Sequence, residues 1–176
     1  MKKLILWLPL AVFAIFIVTV AMRLGSGGQE AIVRSKMVGQ KLPEFTLPAA
    51  LEGRPSVKSA DYARGEARVI NIFASWCVPC IAEAPQLLEL EQRGVPIDAI
   101  AIRDKSEDIE EFLRRWGDPY RNIGSDVASQ VQFALGSSGV PETFVVDGSG
   151  TIRYQHIGDI KAEDVPEILA AYEAAK

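Results

Sequence analysis

Length, composition and charge exclude several classes of protein. The chain has 176 residues, 48% of them hydrophobic and 24% charged, which is enough for one packed domain plus an additional segment. Its formal net charge is −4. Three of the 19 basic residues flank an N-terminal apolar run, which leaves 16 basic against 23 acidic residues elsewhere. This acidity argues against nucleic acid as a partner and against a polybasic membrane-binding patch.

An uncharged apolar run from Leu4 to Met22 follows Lys2 and Lys3 and is interrupted only by Pro9. Its length falls in the range of about 17–25 residues that spans a bilayer, and it exceeds the usual core of a cleaved signal peptide. We therefore predict a signal-anchor transmembrane helix over residues 1–24, with the lysines in the cytoplasm and the rest of the chain outside it. A long cleaved signal peptide is the alternative. Either way, the remaining chain works where disulfides persist.

Two further segments complete the predicted organisation. Residues 25–37 are predicted as a linker and membrane-proximal extension, because residues 25–28 have the glycine and serine content of a flexible spacer. The folded domain is predicted over residues 38–176.

Strands and helices alternate along this domain. The predicted strands are an edge strand (42–47), a short strand and loop (57–62), and strands over 69–73, 95–102, 143–146 and 151–157, the last two joined by a hairpin turn (148–150). The predicted helices cover residues 81–92, 106–116, 127–135 and 163–175, and residues 118–126 are predicted as a loop. In the helix over 106–116, Ser106 is the predicted N-cap and Gly117 the predicted stop. This order predicts a central mixed sheet with helices on both faces.

The two cysteines of the chain, Cys77 and Cys80, stand between a strand and a helix with two residues between them. Cys77 is therefore predicted at the helix N-terminus, where unpaired N–H groups and the helix dipole favour a thiolate. Cys80, one turn later, is close enough to form a disulfide with it. A strand–CxxC–helix arrangement predicts a two-electron thiol–disulfide site.

Other uses of two cysteines fit less well. A structural disulfide across three positions closes a very small loop and adds little stability. A structural zinc site needs about four ligands, whereas the chain offers two cysteines and one histidine, His156. A covalent haem site reads CxxCH, and here Ile81 follows Cys80. We therefore predict no metal, and no cofactor beyond the redox-active cysteine pair.

Three motifs resemble those of the thioredoxin fold. They are Trp76-Cys77-x-x-Cys80 at a strand–helix junction, Pro85 five residues later, and Val140-Pro141 before a strand. The resemblance implies an α/β, thioredoxin-like fold with a central mixed β-sheet. It also implies a cis peptide at Val140-Pro141 beside the disulfide, with Trp76 and this pair forming the wall of the active site.

A narrower resemblance covers nearly the whole chain from about Val38 onward. Residues 139–144 read Gly-Val-Pro-Glu-Thr-Phe, an anchor precedes the domain, and Asn71 stands six residues before Cys77, where general thioredoxins carry a buried Asp. In these features the chain resembles the membrane-anchored periplasmic thiol:disulfide interchange proteins of cytochrome c maturation, the DsbE/CcmG type.

This resemblance implies a single-pass protein of the bacterial inner membrane with its catalytic domain in the periplasm. The implied activity is that of a dithiol reductant that keeps the CxxCH cysteines of apocytochrome c reduced, directly or through a cytochrome-maturation thiol protein. A membrane thiol-reducing conduit of the DsbD/CcdA type is the implied electron donor.

The resemblance also implies the roles of individual residues. Cys77 attacks the client disulfide, and Cys80 then attacks Cys77 to release the reduced client. Cys80 must first lose a proton, and Asn71 cannot accept one. Glu83 and Glu142 are both candidate acceptors, Glu83 with the alternative of a solvated helix residue.

Three other functions remain open on the sequence. One is a general or copper-site periplasmic thiol reductase with the same chemistry. Another is a peroxide-consuming redoxin, which the segment Pro43–Leu47 allows but the lack of a suitably spaced Thr before Cys77 disfavours. The last is a tethered binding module without catalysis.

Overall fold

The computed structural model describes residues 2–25 and 36–176, in two compact units of which the second runs from Arg34 to Lys176. The first unit contains helix α1 (Lys2–Gly25), and its described apolar side chains, including Phe13 and Phe16, are exposed. Within the described ranges, no helix has both the length and the apolar character that a bilayer crossing requires. The predicted linker, residues 25–37, lies largely outside the described residues.

The second unit alternates strands and helices, as predicted. Its elements are β1 (Thr46–Leu47), β2 (Val57–Lys58), a 3₁₀-helix (Ser59–Ala63), β3 (Arg68–Phe73), α2 (Val78–Gln92), β4 (Ile97–Ile102), α3 (Ser106–Trp116), β5 (Asn122–Asp126), α4 (Gln130–Ala134), β6 (Glu142–Val146), β7 (Ile152–Ile157) and α5 (Val165–Ala175). Strands β1 and β2 form a small antiparallel pair. The edge strand predicted over 42–47 is shorter than expected, because only Thr46–Leu47 is a strand.

The main sheet has the strand order β5-β4-β3-β6-β7, with β3 at its centre. On one side of β3, β4 pairs in parallel with β3, and β5 pairs in parallel with β4. On the other side, β6 pairs antiparallel with β3, and β7 pairs antiparallel with β6. Every residue from Val69 to Phe73 is buried. Because successive side chains of a strand point to opposite faces, both faces of the sheet are covered, as the continuous apolar run predicts. The central mixed sheet is confirmed.

The loop predicted over residues 118–126 is wrong in part, because Asn122–Asp126 forms strand β5. Its residues pair in parallel with β4, Asp98 opposite Asn122 and Ile102 opposite Asp126. Gly, Asn and Asp are depleted in strands, and three of the five residues of β5 are of these types. Hydrogen bonding to β4 supplies the stabilisation that local sequence preference does not.

The N-cap of helix α3 lies one residue earlier in the chain than predicted. Lys105 occupies the N-cap, and Ser106 is the first helical residue, with its hydroxyl donating to the Ala50 carbonyl at 2.7 Å. At the other end Gly117 caps the helix with φ +100°, as predicted. A Cβ at Gly117 would lie 2.6 Å from Leu88 Cδ1, so glycine also permits the close approach to α2.

Aromatic packing ties β3 to the elements that follow it. The buried ring of Phe73, the last residue of β3, lies 5.5 Å from that of Phe112 on α3 and is stacked at 5.1 Å on Tyr120. Burying one side chain of this size contributes about 1.5–3 kcal/mol. Tyr120 is thereby fixed immediately beneath the junction at which β3 leads into α2.

Candidate active site

Cys77 and Cys80 form a disulfide at the N-terminus of α2, with their Cα atoms 5.3 Å apart. Cys77 is the N-cap residue, and its Sγ accepts a hydrogen bond from the Cys80 backbone N–H at 3.2 Å. Once the disulfide is reduced, that N–H and the helix dipole favour negative charge on Cys77. The structure therefore places the pair where the sequence predicts it.

The two cysteine residues differ in their exposure to solvent. Cys77 retains 5% of its surface, whereas Cys80 retains 1%. The residues on either side of Cys77, Trp76 and Val78, are well exposed, so Cys77 lies next to the molecular surface. This arrangement suits Cys77 for attack on another protein and leaves Cys80 to act from inside.

The Val140–Pro141 peptide is cis, as the resemblance to thioredoxin folds implies. The register of the sheet places Glu142 opposite Ile72, near the end of β3. Since β6 runs antiparallel to β3, Pro141 lies next to the loop that carries the cysteines. Pro141 is buried and Val140 is half-buried.

The loop after β4 holds the loop that precedes the cysteines. The Asp104 carboxylate accepts hydrogen bonds from the Ser75 N–H at 2.6 Å and from the Ser75 hydroxyl at 2.7 Å. The Trp76 indole N–H donates to the Arg103 carbonyl at 3.3 Å, and the Arg103 guanidinium lies 6.0 Å from the ring centroid. No local pattern predicts Asp104 as a site residue, because its partner Ser75 lies 29 positions away in sequence.

Glu83 lies one helical turn after Cys80 on the same face of α2 and is completely buried. Its Oε1 accepts from the Asn71 side-chain amide at 2.9 Å, and its Oε2 accepts from the Ile160 backbone N–H at 3.1 Å. Burial raises the pKa of Glu83 to about 7, because these two hydrogen bonds offset the loss of hydration only in part. A solvated position, the alternative for Glu83, is therefore wrong.

Asn71 belongs to a larger buried network. Its amide also donates to Thr143 Oγ1 at 3.1 Å, and its Oδ1 accepts from the Tyr120 hydroxyl at 2.9 Å. Burial raises the pKa of Tyr120 well above its ordinary value, and the nearby Glu83 and Asp118 carboxylates raise it further. Tyr120 therefore remains a donor at neutral pH. Neither Tyr120 nor Thr143 stands in a local sequence pattern that predicts a site residue.

Glu142, the other candidate acceptor, is buried at the start of β6 and fully engaged. Its Oε1 accepts from the Ser138 N–H and hydroxyl, both at 2.8 Å, and its Oε2 accepts from the Gln155 side chain at 3.0 Å. These bonds tie the loop before the cis peptide to β7. The catalytic roles of Glu83 and Glu142 stay predictions.

His156 lies on β7, where its Nε2 is 3.3 Å from the Asp159 carbonyl oxygen and 3.8 Å from the Asp164 carboxylate. In the part of the chain that the structure describes, no three His, Cys, Asp or Glu side chains form a cluster suited to a metal ion.

Comparison with known sequences shows the family. The Redoxin family model matches residues 37–172. The thiol:disulfide interchange protein DsbE of Vibrio cholerae is 33% identical over 173 residues, which cover 97% of this chain and 94% of that protein. The thiol:disulfide interchange protein HelX of Rhodobacter capsulatus is 33% identical over 165 residues, covering 94% of this chain and 92% of that one.

Solved structures show the fold. A DsbF homologue from Corynebacterium diphtheriae superposes with a TM-score of 0.65 at 24% identity, over 82% of this chain and 94% of that one. A thiol:disulfide interchange protein of the thioredoxin family from Chlorobium tepidum superposes with a TM-score of 0.61 at 23% identity, over 77% and 94%. The expected thioredoxin-like fold is confirmed. The chain belongs to the Redoxin family and, within it, to the DsbE-type thiol:disulfide interchange proteins, which are thiol:disulfide oxidoreductases.

Proposed function

We propose that this protein is a membrane-anchored periplasmic dithiol reductant of cytochrome c maturation. Its client is the CxxCH disulfide of apocytochrome c, or a thiol protein of the same pathway. One observation carries the proposal: an outer sulfur at a helix N-terminus stands before an inner sulfur with a buried carboxylate, Glu83, one turn behind it. This arrangement suits electron donation in a chain whose relatives are thiol:disulfide interchange proteins.

The reaction proceeds in two exchanges from the reduced form. The Cys77 thiolate attacks one sulfur of the client disulfide, which breaks the client S–S bond and releases the other client sulfur as a thiolate that takes up a proton. The Cys80 thiolate then attacks Cys77 Sγ, which breaks the mixed disulfide and forms the Cys77–Cys80 bond. The client leaves with two thiols, and the protein has lost two electrons.

Glu83 is the proposed proton acceptor for the second exchange. Cys80 is nearly sealed from water, so bulk solvent is poorly placed to take its proton. A carboxyl group whose pKa is about 7 is divided between its two forms at neutral pH, and it can therefore accept a proton and later return it. Glu142 is a weaker candidate, because Ser138 and Gln155 occupy both of its oxygens.

Helix α1 is the proposed anchor in the inner membrane. The uncharged run from Leu4 to Met22 supports it, since its length in sequence falls within the range of about 17–25 residues that crosses a bilayer. The exposed side chains of Phe13, Ile15 and Phe16 suit a lipid environment. Lys2 and Lys3 favour a cytoplasmic N-terminus, and this orientation puts the redox domain in the periplasm. A membrane thiol-reducing conduit of the DsbD/CcdA type then returns two electrons to the Cys77–Cys80 disulfide.

Trapping the client tests the proposal. Cys80→Ala removes the resolving thiol, so the full chain accumulates as a mixed disulfide through Cys77, and we expect cytochrome-pathway proteins to dominate the trapped material. Cys77→Ser/Cys80→Ala is the matched control, because it traps nothing. Copper-binding or unrelated periplasmic proteins in the trap would instead indicate a reductase of wider range.

A deletion strain gives the second test. Loss of the gene is expected to lower holocytochrome c, and the wild-type chain, but not Cys77→Ser, is expected to restore it. Normal holocytochrome c in the deletion strain would overturn the proposal. Full restoration by Cys77→Ser would instead indicate a binding module without thiol chemistry.

A further inference from the structure

A buried chain of side-chain hydrogen bonds connects Tyr120 to Glu83. The Tyr120 hydroxyl donates to Asn71 Oδ1 at 2.9 Å, and Asn71 Nδ2 donates to Glu83 Oε1 at 2.9 Å. Asn71 and Glu83 have no exposed surface, and Tyr120 is 7% exposed. Three side chains separated by up to 49 positions in sequence thus share a site next to the inner cysteine.

The direction of each hydrogen bond follows from the chemistry of the groups. An ionised carboxylate only accepts, so Asn71 must present its NH₂ to Glu83. The carbonyl oxygen of the same amide then faces Tyr120, which must donate. Tyr120 can always do so near neutral pH, since burial keeps its hydroxyl protonated. The tyrosine hydroxyl therefore selects one of the two orientations of the Asn71 amide.

We propose that Tyr120 is a positioning residue for proton transfer at Glu83, because its hydroxyl locks the Asn71 amide in the orientation that stabilises the ionised carboxylate. This inference rests on the proposed role of Glu83 in accepting the Cys80 proton. The Tyr120 hydroxyl bonds to Asn71, so Tyr120 acts on Glu83 through the Asn71 amide.

Removing the hydrogen bond from Tyr120 to Asn71 Oδ1 changes which form of Glu83 is favoured. Without the tyrosine hydroxyl, the Asn71 amide can turn over and present Oδ1 to Glu83, which then bonds best as a protonated carboxyl group. The other groups that face Glu83 keep their effects: the Asp159 carboxylate still favours the protonated form, and the Ile160 N–H still favours the ionised one. Tyr120 thus opposes burial, and Glu83 keeps a pKa near neutrality instead of above it.

The effect appears in the second exchange. Ionised Glu83 takes the proton of the Cys80 thiol, and the resulting thiolate attacks Cys77 Sγ of the mixed disulfide. The bond between Cys77 and the client sulfur breaks, the Cys77–Cys80 bond forms, and the client sulfur leaves with the electron pair. If less Glu83 is ionised at a given pH, this exchange is slower by the same factor.

Tyr120→Phe in the full chain tests the inference, because it removes the hydroxyl and keeps the ring that stacks on Phe73. The Glu83 carboxyl resonance is titrated by ¹³C NMR in the oxidised protein, in which the cysteines do not titrate. We expect the pKa of Glu83 to rise by about one unit, the effect of about one buried hydrogen bond. Tyr172→Phe, which removes a hydroxyl on α5, is the matched control and should leave the pKa of Glu83 unchanged.

The rate of the second exchange is the other readout. Glutathione is attached to Cys77 as a mixed disulfide, and its release by Cys80 is followed by rapid quenching across pH. At pH 7 we expect Tyr120→Phe to slow release about fivefold, as a one-unit rise from about 7 implies, and to move the pH profile upward. Because glutathione replaces the client, failure of the cytochrome assignment would leave this result unchanged.

Two further variants separate positioning from general damage. In a Glu83→Gln background, Tyr120→Phe is expected to have no further effect on release, because the carboxylate it positions has been removed. Thr143→Val removes only the second acceptor of the Asn71 amide and is expected to shift the pKa of Glu83 less than Tyr120→Phe does. An unchanged pKa of Glu83 in Tyr120→Phe, or equal slowing with and without Glu83, would overturn the inference.

Discussion

Glu83 and Asp147 are both buried carboxylates, but their surroundings move their pKa values in opposite directions. At Glu83 burial outweighs two neutral donors, and the pKa rises to about 7. At Asp147 burial also opposes ionisation, yet hydrogen bonds from Ser149, Thr151 and Arg153 outweigh it and hold the pKa well below its usual range. The number and charge of the donors, rather than burial alone, decide the sign.

The difference separates a carboxylate that stays ionised from one that can exchange a proton near neutral pH. Asp147 closes the turn between β6 and β7 and stays ionised throughout the physiological range. Glu83 stands behind the disulfide and can exist in either form near pH 7. The four predictions below test this contrast, from the largest expected free-energy effect to the smallest.

Asp147→Ala is expected to lower the free energy of unfolding by about 3–4 kcal/mol, because the Ser149 and Thr151 donors and the charged Arg153 lose their acceptor. Urea unfolding at pH 7 measures it. Asp147→Asn keeps one acceptor oxygen and should lose less, and both variants should keep the exchange rate per folded molecule. A loss below about 1 kcal/mol for the alanine variant would show that the turn does not depend on this carboxylate.

Stability is expected to depend on pH with opposite signs at the two sites. The raised pKa of Glu83 stabilises the fold fully below about 4.5, and this contribution is lost as pH rises through about 7. The loss amounts to about 3 kcal/mol. The lowered pKa of Asp147 stabilises the fold fully at pH values above the ordinary pKa of an aspartate. This contribution is lost as pH falls from there through the lowered pKa.

Urea titrations between pH 4.5 and 8.5 isolate the Glu83 part of this dependence. Glu83→Gln is expected to remove the decline toward high pH, since the variant has no group to ionise there. A wild-type and a variant curve that stay parallel over this range would contradict the raised pKa of Glu83.

Glu83→Gln is also expected to slow release of glutathione from the Cys77 mixed disulfide by about 100-fold at pH 7.5, the usual contribution of a positioned proton acceptor. The attack of Cys77 on a disulfide should change little. Asp147→Asn serves as the control at the structural carboxylate. Unchanged release would assign the Cys80 proton to another acceptor.

The smallest effect is expected at Glu142. Glu142→Gln keeps an acceptor oxygen for Ser138, so release should slow by less than about threefold, the effect of about one altered hydrogen bond. The same rapid-quench assay measures it. A loss comparable to that of Glu83→Gln would make Glu142 the proton acceptor and reverse the proposed assignment.

Local chemistry made part of the site predictable from sequence. The position of the cysteine pair between a strand and a helix predicts the redox site, and the structure contains the Cys77–Cys80 disulfide there. The resemblance to thioredoxin folds correctly implied a cis peptide before Pro141. Helix α3 was predicted at both ends within one residue, because its apolar spacing and Gly117 are strong local signals.

The remainder depends on contacts that no local pattern encodes. Strand β5 carries turn-type residues and is a strand because β4 pairs with it. Tyr120 lies in a loop, and only the stacking on Phe73 and the register of the sheet bring its hydroxyl to Asn71. Likewise, the helical sequence around Glu83 is compatible with an exposed side chain. Glu83 is buried because the segment before α5 packs over it, with the Ile160 N–H donating to its carboxylate.

The hydrogen bond from the Ile160 N–H to Glu83 makes this amide a natural reporter of a carboxylate 77 residues away in sequence. The amide proton of Ile160 points at Glu83 Oε2, so its chemical shift is expected to follow the charge on that oxygen. One backbone resonance, far from the cysteines in sequence, would then register the protonation state of Glu83, without any label on the sulfurs themselves.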